Sequence, residues 1–261
     1  MNLEPYPLAN RSPIMAVRYK DLNIGDAVSE FEVTSFRRSA GDIAWLKIPL
    51  ASGLDGEFFA RGAPVTIQWG LDSEQNLQLI FEGVVREVIE LEGALRVELV
   101  DYMTLLHAKQ ITTTIEDENT EAIIRQLTSG LGLQYKLEAS GLNLQKFPVF
   151  NRTVFEAITH LAERVKFELG KTMLFWVRNK TLFWQTATAP SEPLAAFVTG
   201  INISNHGSSK RQGYSWLKTG IVPVLHTDTI EFDGTPVVVE RIYYKWQRGG
   251  RSKIYWKNNS D

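Results

Sequence analysis

The sequence predicts an α+β fold that is mainly β, with β-rich segments at both ends and small α/β units between them. Three observations predict it. From Gly62 to Leu106 apolar and polar residues alternate with short turns, as in L-Q-L-I-F-E-G-V-V-R-E-V and L-R-V-E-L-V-D, and side chains on a strand alternate faces. After Asp101 the apolar spacing becomes helical in two places. From Gly200 onward β-branched and aromatic runs return.

The elements follow in order. The opening M-N-L-E-P-Y-P-L-A-N-R-S-P holds three prolines and no apolar h-region, so it reads as an extended arm or surface loop rather than a signal peptide. Val28–Arg38 is a first strand and Ile43–Leu50 a second, with Pro49 at its end or at a sheet edge because it cannot donate to a ladder. Pro64–Gly70 is the third. The fourth begins with Leu77, Leu79 and Phe81 on one parity, which blurs past Gly83, where a bulge or bend is expected. A Glu92-Gly93 turn returns the chain through Leu95, Val97 and Leu99 as the fifth. Five antiparallel strands with short turns fit a closed barrel or a sandwich.

The middle segment differs. Tyr102–Ala108 is a short helix, with Asp101 as its N-cap, and Gln110–Ile115 is a short strand. Asn119 or Thr120 caps a helix with Ala122, Ile123, Leu127 and Leu131 as its stripe and Gly130 or Gly132 as its stop. Thr153 and Glu156 form a capping box for a second helix to Lys166, with Phe155, Ile158, Leu161, Ala162 and Val165 inward. Both helices open on Glu-Ala-Ile, so the segment reads as two small α/β units of similar plan. Met173–Arg178 and Thr181–Thr186 flank Asn179-Lys180 as a hairpin, and Pro190–Pro193 is a linker. A polar loop, Ser204–Gly213, precedes strands at Ile221–Val224, Thr229–Phe232, Pro236–Trp246 and Lys253–Trp256, with an Asp233-Gly234 turn. The division expected is 1–108, 109–190 and 191–261.

Composition bounds the function. Hydrophobic residues at 44% and charged residues at 22% place the 261-residue chain among ordinary globular proteins. A net charge of -2 gives no general drive toward nucleic acid or anionic lipid. With no cysteine, disulfides, thiolate metal sites and cysteine nucleophiles are excluded. No apolar run reaches the roughly 18 residues of a membrane span.

The search for chemistry finds little. His107, His160, His206 and His226 are scattered and match no metal-binding spacing. Glu116, Asp117 and Glu118 precede a helix and read as a solvated face suited to its dipole, with a calcium site as the alternative. Ser129-Gly130-Leu131-Gly132 lacks the ending of a phosphate loop. The run Lys245–Lys253, interleaved with Trp246, reads as a hairpin with a charged edge or a contact to an acidic partner, with nucleic acid as the alternative. Glu82 and Glu98 are an acid and base pair only if the chain is a carbohydrate-binding or glycan-cleaving protein whose tryptophans stack sugars. Trp45, Trp69, Trp176, Trp184, Trp216, Trp246 and Trp256 are otherwise core or interface anchors.

A set of segments in a fixed order resembles a known family. G-A-P-V-T-I at Gly62, L-I-F-E-G-V-V around Phe81 and V-E-L-V-D-Y-M-T-L-L at Val97 come first. N-T-E-A-I-I at Asn119, N-R-T-V-F-E-A-I at Asn151 and G-I-V-P-V-L at Gly220 follow. Together they are similar to the hub proteins of phage and phage-like tail baseplates, the late-control-D group, and to the hub portion of type VI secretion spike proteins. The resemblance covers about Val28 to Trp246; no single motif is specific, and the order and spacing carry it.

The resemblance implies two tube-like antiparallel β-barrels, the first mostly from Val28–Asp101 and the second mostly after Thr199, with strands possible to exchange between them. It implies a homotrimer that joins a hexameric tail tube protein to a trimeric central spike protein, beside tape-measure and baseplate wedge proteins. It implies a virion protein of a phage or prophage tail, assembled in the bacterial host cytoplasm and used in host cell entry. It implies no enzyme activity, no catalytic, cofactor or metal residues, and no specific nucleic acid. The chain shows no lysozyme-like or spike-like extension, so a separate spike protein is expected.

Overall fold

The computed structural model describes residues 13–257 apart from 38–40, 72, 74, 76, 188–191, 210, 212, 221, 248 and 249. The expected N-terminal arm lies almost wholly outside the described residues, as do the tail beyond residue 257 and part of the 190–193 linker. Along the chain come β1 (Pro13–Tyr19), β2 (Leu22–Asn23), β3 (Glu30–Phe36), β4 (Ile43–Pro49), β5 (Pro64–Leu71), β6 (Gln78–Leu91) and β7 (Ala94–Asp101). The middle supplies α1 (Thr104–Ala108), β8 (Gln110–Asn119), α2 (Thr120–Leu127), β9 (Gln134–Leu137), β10 (Asn143–Thr153), α3 (Val154–Leu169), β11 (Met173–Arg178) and β12 (Thr181–Thr186). The last part supplies β13 (Ala196–Phe197), β14 (Asn205–Ser209), β15 (Tyr214–Thr219), β16 (Thr229–Phe232), β17 (Thr235–Trp246) and β18 (Arg251–Lys257). The fold is mainly β, as the alternation predicts.

Two compact units divide the chain, one from the segments before residue 101 and after residue 188, the other from 101–188. In the first, one large curled sheet runs β14-β15-β18-β17-β3-β4-β7-β6-β5-β1-β2, with β16 and β13 attached through β17. Its seam is the antiparallel pairing of β17 with β3, from Arg241 opposite Phe36 to Trp246 opposite Phe31. The two ends of the chain therefore build one sheet and share one core. Phe31, Val33, Leu46, Ile67, Trp69, Val97, Ile242, Tyr244 and Ile254 are all buried on its concave side. At the seam Trp69 lies 6.1 Å from Phe31 and 6.0 Å from Tyr244, ring centre to ring centre, and Trp246 stacks beside Phe31 at an 8° interplanar angle.

Several local expectations change. The parity shift in β6 arises before Gly83, at a bulge where Ile67 faces Phe81 but Gln68 faces Leu79, so Ile80 is the extra residue. Gly83 instead permits close approach, since a Cβ there would stand 2.1 Å from the carbonyl oxygen of Val100. The expected loop Ser204–Gly213 contains β14, held by five residue pairs to β15. β1, for which the sequence suggests nothing beyond Pro13, pairs with β5 over seven residues. Val222–Val224 is not a strand, and the carbonyls of Val222 and Val224 instead accept from the Tyr244 hydroxyl.

In the second unit, the expected helix caps form. Asn119 Oδ1 accepts from Ala122 N at 2.8 Å, and the Thr153–Glu156 capping box is complete. Asp101 caps less directly, accepting from Met103 N at 3.0 Å one residue ahead of α1. α2 ends at Leu127, before the glycines expected to stop it, with Thr128 as its C-cap, whose hydroxyl donates to Ile124 O at 2.7 Å. Where two α/β units of similar plan are expected, the segment forms one compact unit. Its β9 pairs in parallel with β12, and β10 pairs with β8. Ile123, Ile124, Ile158, Leu161, Val165, Leu182 and Trp184 are fully buried there.

Candidate functional site

The structure scatters the sequence's candidate catalytic groups. His107 stacks on Phe155 with ring centres 4.1 Å apart, and His160 meets Phe147 edge-on at 5.7 Å. His206 packs against Phe232, and His226 is buried with Nε2 3.8 Å from Asp42 Oδ1. Glu116 faces Lys146 at 3.8 Å and Glu118 accepts from Gln126 at 3.3 Å, both pairings at the unit's surface. Among the described residues no group of three or more His, Cys, Asp or Glu side chains could hold a metal ion.

Glu82 and Glu98 lie on β6 and β7, but Glu98 belongs to an ion cluster. Arg86 donates to it and to Glu87, the latter at 2.9 Å, and Arg96 Nε lies 3.2 Å from Glu98. The Arg86 hydrogen bond holds the Glu87 carboxyl below its usual range, and Glu87 in turn raises the Arg86 guanidinium. Two guanidiniums, Arg86 from β6 and Arg96 from β7, thus bracket the Glu98 carboxyl. The arrangement suits a hairpin brace.

The tryptophans divide between core and surface. Trp69, Trp184, Trp176 and Trp256 are buried, while Trp45, Trp216 and Trp246 are half-buried. The described residues of the charged run Lys245–Lys253 do not all face the same way. Trp246 turns into the core, while Lys245 turns outward and pairs with Glu30 at 3.1 Å.

A more organised surface lies on the outward side of β3, β17, β18 and β15. Register places Trp216 opposite Tyr255, Tyr255 opposite Arg241 and Arg241 opposite Phe36, a row crossing four strands. The adjacent row is Lys218, Lys253 and Tyr243. Cations sit over rings throughout. The Arg241 guanidinium lies 4.6 Å from the Phe36 ring centre and 5.8 Å from that of Tyr255. Lys253 Nζ lies 4.4 Å from the Trp216 ring centre and 4.6 Å from that of Tyr255. Gly207 of β14 makes room for Trp216, because a Cβ there would come within 2.9 Å of the indole. A concavity of about 140 Å³ results, lined by Ser209, Tyr214, Trp216, Arg241, Lys253 and Tyr255. These residues do not stand out as a face in the sequence. Its signal was present in the parity of R-I-Y-Y-K and K-I-Y-W-K, where every second residue is a cation or tyrosine.

No protein-family model and no curated protein matches the sequence. Solved structures do match the fold. A tail protein from Neisseria meningitidis MC58 superposes with a TM-score of 0.69 at 13% identity, covering 95% of this chain and 97% of that one. The 43 kDa tail protein of prophage MuSo2 from Shewanella oneidensis gives a TM-score of 0.71 at 10% identity, covering 95% and 98%. The E. coli c3393 protein is described as a type VI secretion component similar in structure to the T4 tail proteins gp27 and gp5. It gives a TM-score of 0.65 at 11% identity, covering 94% of this chain and 77% of that one. The chain thus has the fold of phage tail proteins and of a type VI secretion component.

Proposed function

We propose that this protein is the structural hub of a phage tail or phage-like injection machine, a trimeric adaptor between a hexameric tail tube and a trimeric central spike. The observation that carries the reading is the near end-to-end correspondence of fold with two tail proteins, one of them from a prophage. In this reading the curled sheet supplies two tube-like barrel regions per subunit, from 1–108 and 191–261, with 109–190 between them. Three subunits then present six similar regions to the tube and a threefold face to the spike. Tape-measure and baseplate wedge proteins are neighbours in the same assembly, which is put together in the host cytoplasm and carried in the virion for host cell entry.

Two features support an assembling role. Phe150 and Phe167 are 81% and 88% exposed, and aromatic side chains are enriched where interfaces form. The histidines and the Glu98 carboxylate are engaged in packing and ion pairing, which suits a structural part. Light scattering on the purified chain tests the proposal. A mass near three times 29.5 kDa, with rings in electron micrographs, is the expected result. A monomer that persists at high concentration and in the presence of a cognate spike would refute it.

A further inference from the structure

The outward face of β15, β17 and β18 is charged in one sense. Its outward positions carry Lys218, Arg241, Lys245, Arg251, Lys253 and Lys257 and no aspartate or glutamate, on a chain whose net charge is -2. Lys245 is matched by Glu30 of β3. Arg241 and Lys253 are different. Both are half-buried, both border the concavity, and among the described residues neither pairs with a carboxylate. Arg241 spends one donor on the Tyr243 hydroxyl at 3.3 Å, and a guanidinium has five. Aromatic flanks remove part of the water from both cations without neutralising them, which raises the value of an incoming anion.

We propose that this concavity clamps carboxylate side chains of an acidic segment from a partner protein, docking that segment across β15, β18 and β17. A carboxylate there would meet the Arg241 fork on one side and the Lys253 ammonium on the other, with the Tyr214, Trp216 and Tyr255 rings as apolar walls for its stem. Nucleic acid fits less well. Lys253 and Arg241 already cover ring faces on which bases would stack. The inference stands whether or not the chain trimerises as proposed above.

The test uses the full chain and an oligoglutamate peptide, with an oligothymidylate of matched charge and inorganic phosphate run in parallel. Binding is followed by calorimetry and by tryptophan fluorescence, in which Trp216 is the reporter. The peptide is expected to bind at low salt and to weaken as salt rises. The double variant Arg241→Gln, Lys253→Gln is expected to weaken it about tenfold or more, with an unchanged melting temperature. If that variant does not fold, Lys253→Gln alone carries the comparison. Gly207→Ala, which displaces Trp216 while leaving both cations, is expected to weaken binding less.

Four results would overturn the proposal. The wild type does not bind the peptide, or the variants bind it as well as the wild type does. Oligothymidylate or phosphate binds as tightly as the peptide, making the face a nucleic-acid or free-anion site. Finally, the chain self-associates through this face without peptide and the variants abolish it, making the occupant a second copy.

Discussion

Gly83 and Asp233 show how single residues act here through space and charge. A Cβ at Gly83 would meet the Val100 carbonyl oxygen at 2.1 Å and its carbon at 2.8 Å. These are backbone atoms of a paired strand and cannot rotate away. Gly83→Ala is therefore expected to cost about 3 kcal/mol, measured as a lower urea midpoint. Asp233 stands at φ 44° in the turn before β17. Its carboxylate accepts from the Thr199 backbone N–H at 2.8 Å and from the Thr199 hydroxyl at 2.7 Å. The backbone bond first, and the hydroxyl second, hold its pKa below the ordinary 3.8. Glu138 is held below 4.5 in the same way by the Thr186 hydroxyl and N–H. A lowered folded-state pKa stabilises the protein above the unfolded value, and that stability is lost as pH falls through the folded value. The melting temperature should therefore hold steady from neutral pH down to about pH 5 and drop below about pH 4. Asp233→Asn keeps a side chain that tolerates positive φ. It should cost about 0.5–1 kcal/mol at neutral pH, after screening by solvent, and flatten part of the acid drop.

Elements were legible in proportion to how local their causes are. The α3 cap could be read from Thr153 and Glu156 because a capping box is a contact over three residues. Thr153 Oγ1 accepts from Glu156 N at 3.2 Å and Glu156 Oε2 accepts from Thr153 N at 2.8 Å. Thr153→Ala should cost about 1 kcal/mol, visible as a lower thermal midpoint with little change in the folded-state spectrum. β14 was not legible. N-H-G-S-S has turn composition, and it is extended because β15 offers a ladder and because Gly207 lets Trp216 lie across it. β10 is also hidden in sequence, since Pro148 and the shift between Val149 and Arg152 break its alternation. The outward rows of cations and rings are intermediate. Each strand shows its parity, but the rows exist only once register aligns Trp216, Tyr255 and Arg241.

At the scale of the molecule, the first unit depends on both ends of the chain. Ending the chain at residue 188 removes β17, so β3 loses its pairs from Arg241 to Trp246, and Phe31 and Trp69 lose Trp246 and Tyr244. Such a chain is expected to leave the first unit without a cooperative unfolding transition. Residues 101–188 have their own buried core, and alone they should still melt cooperatively by circular dichroism. A second transition in the truncated chain would show that the N-terminal strands fold without their C-terminal partners.

The amino-acid order by itself determined the mainly β class, the helices with their caps, the hairpins, and the sequence of segments that is similar to tail hubs. Those are set by alternation, helical spacing and short-range hydrogen bonds, all visible within a few residues. Tertiary structure alone decided that β17 closes onto β3, that Gly83 is a point of close approach, and that Arg241 and Lys253 stand together in one concavity. Each of these joins residues far apart in the chain, brought together by the pairing of strands distant in sequence, which no local pattern displays.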